Sequence, residues 1–188
     1  MYSIGRRTSS ATDLNTSELV ELLQRSAVEH LTTYRQLMVR DFGSVATIVT
    51  TDFEALYVYK HGDYQRCLQL STQNVHTLLY AVRIPRVNTF PQFIQLLDDD
   101  IVSLTALTLI VNPECREWDV DVFISQLTLS LYLMTQCQLK LRHSVTSLAQ
   151  TLDYIEVAQS RSISSSLDRL VMKLTKRKVL LYVCSLLR

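Results

Sequence analysis

The sequence predicts an all-α protein of seven to eight helices arranged as stacked antiparallel hairpins. Three observations lead there. Its 188 residues include only 3 Gly and 3 Pro, too few for the turns of a sandwich, a barrel or a glycine-rich dinucleotide-binding sheet. Apolar residues recur at the i, i+3, i+4 spacing of one helical face through nearly every segment, and no alternating strand pattern stands out. With 47% hydrophobic residues, the chain has enough apolar material to bury a core.

Residues 1–14 read as a disordered polar tail. Asn15 followed by Glu18 forms a capping-box start, and Leu19, Leu22, Leu23, Ala27, Leu31, Tyr34 and Met38 then make the inward stripe of a first helix, closed by Gly43. A second helix turns Val45, Ile48, Val49, Phe53, Leu56 and Tyr57 inward and stops at His61-Gly62. Asp63 caps a third, whose inward face is Tyr64, Cys67, Leu68, Ser71, Val75, Leu78 and Leu79. Pro85 and Pro91 mark residues 84–91 as a linker, because the residue before a proline is pushed out of the helical region. This divides an N-terminal helical subdomain, 15–83, from a C-terminal one, 92–188.

Beyond the linker, a short helix over 93–97 leads to the acidic cap Asp98-Asp99-Asp100 and an apolar segment, 101–111, ended by Asn112-Pro113. Residues 120–141 read as one long helix with apolar residues on several faces, among them Phe123, Ile124, Leu127, Leu129, Leu131, Leu133, Met134 and Cys137. Such a helix is sandwiched between neighbours. Its many Ser, Thr and Gln residues make it too polar for a membrane span. Ser144 opens the next helix, with Val145, Leu148, Ala149, Leu152 and Ile155 inward. After a serine-rich break the last helix turns in Leu167, Leu170, Val171, Leu174 and Leu181.

The segment from Tyr57 to Leu68 (YVYKHGDYQRCL) resembles the centre of a tetratricopeptide repeat, where one helix ends at a Gly-acid-Tyr turn and the next begins with a small packing residue. Gly62 permits the reversal, Asp63 caps, Tyr64 follows, and Cys67 fills the small-residue slot that lets two helices approach closely. The family's other positions carry Thr51, Glu54, Ala55, Val58, Ser71 and Leu79, so the likeness covers one repeat, without a second copy at the period of about 34 residues. The resemblance implies a helical-repeat solenoid that binds a peptide or protein. The segments 93–109 and 140–145 also look like helical tails of large invertebrate proteins with a cGAS-like nucleotidyltransferase domain. That likeness implies an alternative, a regulatory helical part of a larger nucleotidyltransferase-like protein; none of the upstream catalytic residues occurs here.

The chemistry of the side chains points the same way. Nineteen basic against 18 acidic residues leave a net charge of +1, without the excess that marks a nucleic-acid or anionic-membrane partner. The four cysteines, Cys67, Cys115, Cys137 and Cys184, stand singly, read as small apolar residues of a reducing compartment, and place the chain in the cytoplasm. They form no metal-ligand spacing. His30, His61, His76 and His143 lie apart from any nucleophile motif. We therefore expect no catalytic, cofactor or metal site. Arg6-Arg7-Thr8-Ser9 has the form favoured by basophilic kinases, making Ser9 a candidate phosphosite.

Charge is unevenly spread: residues 98–121 hold seven acidic residues and one basic, residues 161–188 seven basic and one acidic. Opposed segments of this kind face each other within a stack or across a dimer. On the last helix, Leu180, Val183 and Leu186 add apolar area beside the expected inward stripe of Leu181, Cys184 and Leu187, to the end of the sequence. We expect a truncated end or an interface there, homo-oligomeric or with another protein, rimmed by Lys173, Lys176, Arg177 and Lys178.

Overall fold

The computed structural model of the protein describes residues 10–37, 45–80, 86–88, 99–111, 123–160 and 165–186. Within them lie seven helices: α1 (Ser10–Leu37), α2 (Val45–Lys60), α3 (Tyr64–Leu79), α4 (Asp99–Val111), α5 (Gln126–Lys140), α6 (Val145–Ser160) and α7 (Ser166–Leu186). The fold class is helical. One element departs from it: β1 (Arg86–Asn88) pairs antiparallel with β2 (Phe123–Ser125), Val87 opposite Ile124. The expected helix over 93–97, the Gly43 and Asn112-Pro113 stops and Ser9 lie outside the described residues.

The centre is α5. Every residue from Gln126 to Gln138 is buried, because α5 packs against α2, α3, α6 and α7 at once. A helix enclosed on all sides needs no polar face, which is why its apolar residues spread around the axis. It begins six residues later than the sequence suggests. Ser125, in extended conformation, caps it by accepting a hydrogen bond from the Thr128 N–H at 3.3 Å. The β-branched and aromatic residues before Ser125 favour the extended strand instead. The Ser125 N–H in turn donates to the Asp168 carboxylate at 2.8 Å, pinning the start of α5 to the start of α7.

Around this centre, α2 and α3 form a hairpin, α1 lies against α2, α6 packs on α5 and α7, and α4 rests on α7. The core joins Ile48, Leu56, Val75 and Leu78 of the hairpin to Ile101 of α4, Tyr132 and Met134 of α5, Ile155 of α6 and Val171 of α7. Burying such side chains is worth about 1.5–3 kcal/mol each.

Four inward faces differ from the sequence reading. Helix α1 starts at Ser10, five residues before Asn15, since nothing between Ala11 and Leu14 breaks a helix. Its Leu19, Leu22 and Leu23 are 56%, 56% and 61% exposed rather than inward. Helix α2 buries a polar series, Thr47, Thr50, Thr51, Asp52 and Glu54, beside Ile48, Ala55 and Leu56, while Val49, Phe53 and Tyr57 are half-buried. The threonines satisfy themselves within the helix: Thr50 and Thr51 both donate to the Thr47 carbonyl. In α6, Val145 and Ala149 face solvent while Thr151 and Ala158 are inside. In α7 the buried stripe is Leu167, Asp168, Val171, Met172, Thr175 and Val179; Leu170, Leu181 and Cys184 are exposed. That stripe ends at Val179, and beyond it no described residue of α7 is fully buried.

Candidate interaction surfaces and a buried polar centre

The α2–α3 turn is built from short-range chemistry. Gly62 has φ +82°, a left-handed conformation that costs a side-chain-bearing residue strain. The Asp63 carboxylate accepts from the Arg66 N–H at 3.0 Å and so caps α3. Tyr64 meets Tyr59 edge-on at 5.5 Å across the hairpin. Cys67 is fully buried. Arg66 reaches back across the hairpin, donating from Nε at 3.2 Å and Nη2 at 3.0 Å to Glu54.

Deeper in, α2, α3 and α5 converge on Asp52. Its Oδ1 accepts from Asn74 Nδ2 at 2.9 Å and from Ser130 Oγ at 2.7 Å, while Asn74 also donates to the Ile48 carbonyl at 3.1 Å. Asp52 Oδ2 is buried with no hydrogen-bond partner among the described residues. Burial pushes the Asp52 carboxyl up to about 7, against the smaller lowering effect of Ser130 and Asn74. A protonated carboxylic acid therefore occupies this site at mildly acidic pH. Sequence reasoning missed the group because a single Asp among Thr and Phe carries no pattern. Its buried hydrogen-bond partners, Asn74 and Ser130, are remote in sequence.

The opposed charges of α4 and α7 do meet. Lys178 donates to the Asp100 carboxylate, and its ammonium stands over the Tyr132 ring at 5.5 Å. The Tyr132 hydroxyl donates to Asp100 at 3.4 Å. Lys176 pairs with Glu156 of α6 at 3.0 Å. Two of the four basic residues assigned to an interface rim thus hold the fold's own helices together, while Lys173 and Arg177 face solvent.

Among the described residues apolar side chains are open to solvent on α4, at Leu107, Ile110 and Val111, and on two further faces. On α1, Leu19, Leu22 and Leu23 form a stripe flanked by the exposed Glu18, Glu21 and Glu29. At the end of α7, Leu180, Leu181 and Leu186 are exposed, at 46%, 60% and 53%, and Val183 is half-buried. No group of three metal-ligating side chains exists among the described residues, and no described helix is long and apolar enough to cross a membrane. His30 is engaged with the Ser26 carbonyl of its own helix at 2.9 Å, and His61 with the Tyr57 carbonyl at the end of α2 at 2.8 Å. Compared with known proteins, the chain matches no family model, no curated protein and no solved structure.

Proposed function

We propose that this chain is a non-enzymatic protein–protein interaction module of helical-repeat type, with the α2–α3 hairpin as its tetratricopeptide-like element. The observation that carries the reading is the stripe of Leu19, Leu22 and Leu23, more than half exposed on each residue and spaced as one helical face. An amphipathic helix whose apolar stripe faces water gains by laying it into a partner's apolar surface. Its acidic flanks, Glu18 and Glu29, with Glu21 paired to Arg25 at 3.6 Å between them, favour a partner with basic neighbours around that surface. The end of α7 has this chemistry, with Leu180, Leu181 and Leu186 beside Lys173 and Arg177. The partner is therefore a second copy of the chain, docking α7 on α1 in a head-to-tail contact.

Sedimentation velocity at tens of micromolar tests this. The wild-type chain should associate, more weakly at high salt, whereas Leu19→Glu/Leu22→Glu and Leu180→Glu/Leu186→Glu should each remain monomeric, and mixing the two double variants should restore a dimer. A wild-type chain that is monomeric throughout, or variants that associate as well as it does, would overturn the reading.

A further inference from the structure

The seam between α3 and α5 holds two thiols in register. Two levels define that register. Tyr64 of α3 carries the Lys140 ammonium of α5 over its ring at 5.9 Å. Asn74 of α3 and Ser130 of α5 donate to the same Asp52 oxygen. The helices therefore run antiparallel, position 64 level with 140 and position 74 with 130. Between these levels, Cys67 lies three residues after Tyr64 and Cys137 three before Lys140; equally, Cys67 lies seven before Asn74 and Cys137 seven after Ser130. The two cysteines thus stand opposite each other, both fully buried.

We propose that Cys67 and Cys137 form a redox-sensitive dithiol site, which hydrogen peroxide closes to a disulfide that locks α3 to α5. The neighbouring Cys67 thiol and burial push the Cys137 thiol up, so in the closed fold it stays protonated and unreactive. Both are free cysteines. Although buried, each lies about one helical turn from an exposed end: Cys67 from the Gly62-Asp63 turn, and Cys137 from the turn at Leu141-Arg142. Local opening of those end turns admits a small oxidant without unfolding the core. In the opened state one thiol gives up its proton and the thiolate attacks peroxide; the O–O bond breaks, a sulfenic acid forms, and the released hydroxide takes up that proton as water. The second sulfur then attacks the first; the S–S bond forms, the S–O bond breaks and a second water leaves. Two thiols are oxidised and one peroxide is reduced to two waters. Cys184, exposed at the far end of α7, has no such partner on its helix and reports peroxide access without forming this link.

The test uses the full chain, reduced, freed of reductant, treated with hydrogen peroxide in native buffer, quenched by alkylation and mapped by peptide mass spectrometry. The expected product is a monomer linking the Cys67 and Cys137 peptides, lighter by two hydrogens, with a melting midpoint raised by roughly 5–15 °C because the closed loop restrains the unfolded chain. Cys184→Ser should behave in the same way, and Cys67→Ser should lose both the link and the shift. The proposal is overturned if both thiols stay alkylatable while Cys184 is oxidised. It is equally overturned if either cysteine is found linked to Cys115, Cys184 or another molecule, or if the melting midpoint falls on oxidation.

Discussion

Lys178 and Asp100, 78 positions apart, close an ion pair that ties the first turn of α4 to the far half of α7. The pair is a tertiary contact between the most acidic and the most basic stretches of the chain. It is also part of a cluster, since Tyr132 donates to the same carboxylate oxygen and lies under the ammonium. α4 packs chiefly on α7, and this pair orients it there.

A double-mutant cycle measures what the pair contributes. The side chains are 27% and 45% exposed, so solvent screens the attraction, and a coupling of roughly 0.5–1 kcal/mol is expected between Lys178→Met and Asp100→Asn. Urea denaturation of the four proteins provides the number, which should shrink in high salt. Additive losses with no coupling would show that α4 is held by its apolar contacts alone.

Asp52 should make stability depend on pH. Its carboxyl is pushed up to about 7 by burial, so the folded state keeps a proton that the unfolded chain releases near pH 4. The stabilisation associated with that proton is complete below about pH 4 and is lost as pH rises through 7, a change on the order of 4 kcal/mol. Asp52→Asn removes the ionisation while keeping an oxygen for Asn74 and Ser130. Measured by denaturation at pH 5 and pH 8, the wild type should lose stability at the higher pH and the variant should stay nearly level. Identical pH profiles for the two proteins would dispose of the prediction.

At the α2–α3 turn the backbone conformation is itself the constraint. A Cβ on Gly62 would meet nothing within 4 Å, but φ is +82°. Replacement should therefore cost through strain and not through collision. Gly62→Val should destabilise the fold by about 1–2 kcal/mol, and Gly62→Asn by clearly less, because Asn tolerates the left-handed region. Thermal melts that rank the two variants equally would mean that the turn relaxes to another conformation.

How much of this was legible in sequence follows from the range of each interaction. The helical class was legible, because helical periodicity is local and the scarcity of Gly and Pro removed the alternatives. The enclosure of α5 was legible too: Leu127 to Leu139 shows apolar residues around the whole axis, a pattern only a surrounded helix can use. The pairing of acidic and basic stretches was visible as an imbalance, although only the fold selects Asp100 and Lys178 from among them.

Which faces are buried was decided by the tertiary structure. By period alone, Leu19, Leu22 and Leu23 are a core stripe, yet they are exposed because, among the described residues, α1 packs chiefly on α2. The reverse holds for Asp52, Asn74 and Ser130, which look like solvated positions and are buried because three helices bring their donors to one carboxylate oxygen. The same contact levels α3 against α5 and sets Cys67 opposite Cys137, two residues that appear in the sequence only as isolated thiols. A sequence records which side chains share a face, because a helix repeats every 3.6 residues. It does not record which faces find a neighbour, because that depends on how the helices compete for one core.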